Sequence, residues 1–175
     1  MSFIWQQVDL LHRKLARRRE DSAGPPPNRI WFRAEFIEYG PTINLLSIGM
    51  LNRKDEVYYA EVMERDRTKA GPWVCTNVLP RLTGPVKPRK VIKAEIVDFA
   101  GSSPEFWGYR AAYDWVALCQ LFGHMTDLPT GWPTFCMDVK QLAAARGKQW
   151  SPLALDDNHP LPDAIWTKYA WESLR

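Results

Sequence analysis

Three acidic residues stand at positions from which they could do chemistry together. Glu35 lies inside Ile30-Trp-Phe-Arg-Ala-Glu-Phe-Ile, a short apolar run rich in strand formers. Asp114 heads the helix-forming run Tyr113-Asp-Trp-Val-Ala-Leu, and Asp163 follows Pro162 at the start of the last amphipathic segment. A carboxylate on a buried strand either binds a cation or pairs with a neighbour, and Arg33 is the obvious neighbour for Glu35. Asp114 and Asp163 also sit where an acid caps a helix. The chemistry such acids perform together is metal-assisted hydrolysis. Carboxylates converge on divalent cations roughly 3.5–4 Å apart, and hard cations take oxygen ligands.

The elements that must position these residues are legible from periodicity. Residues Phe3 to Glu20 read as an amphipathic helix, with Ile4, Val8, Leu11 and Leu15 at helical spacing and Arg17-Arg-Arg at its basic end. Three consecutive prolines from Pro25 cannot continue that helix and mark residues 1–29 as an arm plus linker, leaving 30–175 as the domain. Strands are predicted over Ile30 to Ile37, Ile43 to Met50 and Glu56 to Val62, joined by the turns Tyr39-Gly-Pro-Thr and Asn52-Arg-Lys-Asp. Proline-punctuated loops are predicted from Pro72 to Pro88; Lys90 to Phe99 alternates ambiguously between helix and strand, with helix favoured. A fourth strand at Phe106 to Tyr109 feeds a helix over Tyr113 to Phe122. Phe135-Cys-Met-Asp begins extended and turns helical around Val139, and a last helix over Asp163 to Leu174 follows Pro162, a residue that suits a helix start. Strands first, then alternating strands and helices, predict a mixed sheet flanked by helices.

Composition bounds the rest. A length of 175 residues, 46% hydrophobic and 25% charged, suits one domain with an appendage. The net charge of +3 permits a polyanionic partner without requiring one. Three scattered cysteines with no CxxC pair suggest neither a disulfide framework nor a structural zinc site. The sequence lacks both a long apolar run and a signal-peptide pattern, which predicts a cytoplasmic protein with no membrane partner.

Taken in order, the segments resemble the DEDD superfamily of 3′–5′ exonucleases, and within it the RNase AS group of polyadenylate-specific 3′-exoribonucleases of bacteria and phages. They are Glu35-Phe-Ile-Glu-Tyr-Gly-Pro-Thr-Ile-Asn-Leu-Leu-Ser-Ile-Gly, Tyr58-Tyr-Ala-Glu, Phe106-Trp-Gly-Tyr, Tyr113 through Met125, Trp132-Pro-Thr-Phe-Cys-Met-Asp and His159-Pro-Leu-Pro-Asp. The resemblance implies an α/β RNase H-like fold, magnesium or manganese as cofactor, RNA 3′ ends or nucleotides as ligand, and homodimers. It also implies metal ligands at Glu35, Asp114 and Asp163, with His159 acting on the attacking water beside Glu35. Trp107 and Trp115 are candidate base-stacking residues near the cleft.

Two departures from the pattern matter. Arg33 stands where the family has an aspartate that bridges both metals, so a permanent cation replaces an anionic ligand. His159 and Asp163 are also separated by one residue fewer than in the family's last motif. The sequence therefore predicts an exoribonuclease-like protein with impaired hydrolysis, no metal bound because of Arg33, and a cleft that still takes an RNA 3′ end. Arg33 then becomes a substrate-binding residue. Two alternatives stay open. One is an active magnesium- or manganese-dependent 3′–5′ exoribonuclease in which Arg33 holds a phosphate. The other is a protein-binding inhibitor or adaptor that acts through the arm, with a vestigial cleft.

Overall fold

The computed structural model describes residues 27–148 and 159–175. The helix predicted over Phe3 to Glu20 lies outside the described residues. Six strands form one sheet in the order β4-β3-β2-β1-β5-β6. Strands β1 (Asn28–Tyr39), β2 (Thr42–Asn52) and β3 (Val57–Val62) make an antiparallel meander, while β4 (Val86–Lys87) adds parallel to β3. On the other side, β5 (Pro104–Gly108) pairs parallel to β1, and β6 (Met137–Asp138) parallel to β5. Helices cover both faces, an α/β arrangement consistent with the RNase H-like expectation.

Alternation along β1 sorts its residues between the two faces. Phe32 and Ala34 enter the larger core with Ile48 and Met50 of β2. Helices α2 (Arg89–Ala100) and α3 (Ala112–Phe122) cover it with Ile92, Ile96, Trp115 and Leu118. Each of these large side chains contributes about 1.5–3 kcal/mol of burial. On the opposite face, Trp31 packs edge-on against Trp171 of α5 (Pro160–Ser173) at 5.5 Å. Val139 and Ala143 of α4 (Val139–Ala145) join the same cluster. At the far end of that face Ile37 and Leu46 pack with Val78 and Leu82, behind helix α1 (Pro72–Asn77). Arg33 and Glu35 lie between these two apolar anchors.

Two details place the helix starts. The first turn of α5 lies on β2 at Gly49, where an added Cβ would sit 2.5 Å from the Leu161 nitrogen. Gly49 is opposite Arg33 on one side and Tyr59 on the other, so this close approach brings the head of α5 to the middle of the sheet. The ladder between β1 and β5 extends only from Asn28 to Trp31. From Phe32 onward β5 no longer covers that edge of β1, and the head of α3 fills the space.

Two expectations are corrected. The last helix starts at Pro160, not Asp163, with His159 as its cap. The segment after Pro72, read as loops, contains α1 and a 3-10 turn at Leu79–Arg81. Pro72 serves as the first helical residue there, where its missing N–H costs nothing. Among the described residues, no helix is long and apolar enough to cross a membrane.

Candidate functional site

The head of α3 is built by a sharp turn after β5. Gly108 lies so close to Ala111 that a Cβ would clash with the Ala111 methyl at 2.3 Å, and Arg110 adopts a positive φ of 54°. This turn is braced by Asp138. One of its carboxylate oxygens accepts the Lys140 and Gln141 N–H groups at the start of α4, and the other accepts the Ala111 N–H at 2.9 Å. Asp138→Ala is therefore expected to lose a helix cap and strand the Ala111 donor. The cost should be about 2 kcal/mol in chemical denaturation, with Asp138→Asn recovering part of it. Equal stability of all three proteins would refute the brace.

With the turn fixed, Asp114 reaches the open edge of β1. Its Oδ1 accepts the Ala34 N–H at 2.7 Å, and its Oδ2 faces Arg33 Nη1 at 3.3 Å. From the other side, Asp163 in the first turn of α5 places Oδ2 3.5 Å from Arg33 Nε. Glu35 follows Arg33 on the same face and is 6% exposed. The register with β2 shifts beside it: Glu35 opposes Ser47 and Phe36 opposes Leu45. Such an irregularity re-aims neighbouring side chains.

The structure thus brings Arg33, Glu35, Asp114 and Asp163 together. Burial works against the charge of Arg33, but Asp114, Glu35 and Asp163 outweigh it and hold its pKa above the ordinary value. Burial pushes Glu35 up to about 7; Arg33 opposes the rise, while Asp114 and Asp163 add to it. Burial also raises Asp114, against the pull of Arg33 and the Ala34 N–H.

The residues do not fit the expected divalent metal. Among the described residues, no three His, Cys, Asp or Glu side chains converge closely enough to hold a metal ion. The guanidinium lies between the carboxylates of Asp114 and Asp163, where a cation would be bound.

His159 caps α5, its Nδ1 accepting the Leu161 N–H at 3.3 Å. The ring lies on Tyr59 with centroids 4.6 Å apart, and the Tyr59 hydroxyl donates to the fully buried Glu61. Trp107 and Trp115, read as base-stacking candidates, are core residues at 6% and 8% exposure. Trp115 is wedged against Phe32 and Phe106, and Trp107 against Trp171, so no base can reach their faces. Tyr113, next to Asp114 at the head of α3, is 49% exposed and stacked on Phe36 at 5.9 Å. Neither of these was singled out from the sequence, although Tyr113 directly precedes Asp114 and Phe36 directly follows Glu35.

The chain is 40% identical over 145 residues to 3′–5′ exoribonucleases of two strains of Mycobacterium tuberculosis. The match covers 78% of this chain and 86% of each relative. No family profile matches the chain.

Proposed function

Because the chain belongs to this family of 3′–5′ exoribonucleases, we propose that its cleft engages the 3′ end of RNA and that Arg33 leaves it little or no hydrolytic activity. The observation that carries this reading is the guanidinium held between Asp114 and Asp163. In the DEDD and RNase AS pattern that the sequence resembles, those carboxylates bind metal, and an anionic ligand takes the place of Arg33. Here Arg33 already supplies one positive charge, and an approaching divalent cation meets it at close range.

The same charges indicate which part of RNA the cleft accepts. Above about pH 7, where Glu35 is ionised, three carboxylates against one guanidinium repel phosphate yet accept hydrogen bonds from hydroxyls. A strand offers its paired 2′ and 3′ hydroxyls only at the terminal ribose. Tyr113 directly precedes Asp114 and is half exposed, and the base of the terminal nucleotide would stack on its open face.

A second reading is favoured by retention of Glu35, Asp114 and Asp163 in one cleft. In it the protein is a magnesium- or manganese-dependent exoribonuclease, and Arg33, whose side chain is 31% exposed, swings aside.

The test uses labelled oligoadenylate. With chelator present, the 3′-hydroxyl strand is expected to bind at least about 10-fold more tightly than the same strand ending in a 3′-phosphate, because the added charge faces like charge. With Mg²⁺ or Mn²⁺ the wild-type protein is expected to release no nucleotide above background. Release that disappears in Asp114→Ala would establish the second reading, and equal binding of both strands would refute recognition of the terminal ribose.

A further inference from the structure

Beyond Glu35, strand β1 leads to a surface that the fold does not require. Tyr39 at its end is 53% exposed and Trp73 on α1 is 59% exposed. Helix α1 contains no fully buried residue. It is seated instead by Val74 and Ala70, which pack on the cluster containing Ile37 and Leu46. The indole of Trp73 is therefore surplus to the packing of its own helix. Lys69 places its ammonium 4.9 Å from the centroid of the Tyr39 ring, and exposed Arg67 lies on the same short 3-10 turn. Asp66 is the counter-charge to Lys69 at 3.5 Å, which leaves this turn a net cation.

We propose that Tyr39, Lys69 and Trp73 form a track for the single-stranded RNA upstream of the terminal nucleotide. The inference rests on the cleft being an RNA 3′-end site. Exposed aromatic faces interleaved with cations hold single strands by stacking on bases and neutralising phosphates, with little dependence on sequence. Position supports this occupant. Tyr39 is four residues along β1 from Glu35, about 13 Å at strand spacing, beyond the reach of a mononucleotide seated in the cleft. The cluster joining Ile37 to Val74 places α1 along the same side of the sheet. The charge is also of the right kind: the acidic cleft selects hydroxyls, whereas the track offers Lys69 and Arg67 to phosphates.

The experiment compares a long oligoadenylate with an adenylyl dinucleotide, both ending in a 3′ hydroxyl, by fluorescence anisotropy in chelator. Wild-type protein is expected to bind the long strand more tightly. Trp73→Ala should weaken binding of the long strand by about 10-fold and leave the dinucleotide unchanged. Lys69→Glu should weaken the long strand and flatten its dependence on salt. Both side chains are exposed, and unchanged circular dichroism would confirm that each variant folds. Three results would overturn the track: equal affinity of wild type for the two ligands, equal loss for both ligands in Trp73→Ala, or no loss for either, as when the patch serves a protein. Wild type that binds neither ligand would overturn the cleft reading as well, which separates the two failures.

Discussion

Glu35→Gln is expected to stabilise the protein at pH 8 by about 3 kcal/mol and to leave its stability at pH 4 nearly unchanged. Burial and the neighbouring Asp114 and Asp163 disfavour the charged form of Glu35 more than Arg33 favours it, raising its pKa from the ordinary 4.5 to about 7. Below pH 4.5 the group is protonated in both folded and unfolded chains and contributes nothing to the pH dependence. Between 4.5 and 7 the folded chain holds a proton that the unfolded chain has released, so stability falls as pH rises. Above 7 both states are ionised and the loss is complete. At about 1.4 kcal/mol per pH unit the full loss is about 3 kcal/mol. Glutamine keeps the shape of the protonated acid and never ionises. Urea denaturation of both proteins from pH 4 to pH 8 measures the difference directly. Curves that stay parallel across that range would mean that Glu35 titrates normally, with Arg33 compensating fully for its burial.

The sequence revealed the components of this site more readily than their surroundings. Glu35 and Asp114 were legible because each interrupts an apolar run, and such an interruption has few physical explanations. The antiparallel meander followed from periodicity, since the burial of one face imposes it, whereas the pattern over Lys90 to Phe99 fits helix and strand almost equally and the structure decides for helix. The stacked pair of Phe36 and Tyr113 was not legible. It exists because the β1–β5 ladder ends at Trp31 and the head of α3 fills the vacated edge, a fact of pairing length that no local pattern records. Trp107 and Trp115 misled for a related reason. Proximity in sequence to a site residue does not say which face a ring occupies, and both rings turn into apolar clusters. The start of α5 was placed too late because Pro160 and Pro162 suit the first turn equally well. Histidine is not among the usual capping residues, so its Nδ1 acting as the cap acceptor had no sequence signal.

Arg33→Asp is expected to produce the largest change of any single substitution: a gain of divalent-cation binding, and with it metal-dependent release of nucleotides from an RNA 3′ end. The wild-type cluster sets one guanidinium against three carboxylates, and the substitution leaves four carboxylates facing one another. At a separation of about 4 Å and an effective dielectric of about 20, each unit charge changes the electrostatic energy of a monovalent test charge by about 4 kcal/mol. Even one such increment corresponds to roughly a thousandfold in cation affinity, and the substitution changes the local charge by two. Without metal the variant should be less stable than wild type, since nothing neutralises the added carboxylate. With Mg²⁺ or Mn²⁺ its melting temperature should rise, while that of wild type should not. Thermal melts with and without each ion, followed by nucleotide release from labelled oligoadenylate, measure both effects. Asp114→Ala in the Arg33→Asp background should abolish both gains. A variant that binds no metal would show that the carboxylates of Glu35, Asp114 and Asp163 are held apart by the backbone rather than by Arg33. In that case metal binding would be limited by the placement of the helix heads on the sheet, at the close approach of α5 to Gly49, and not by the charge of Arg33.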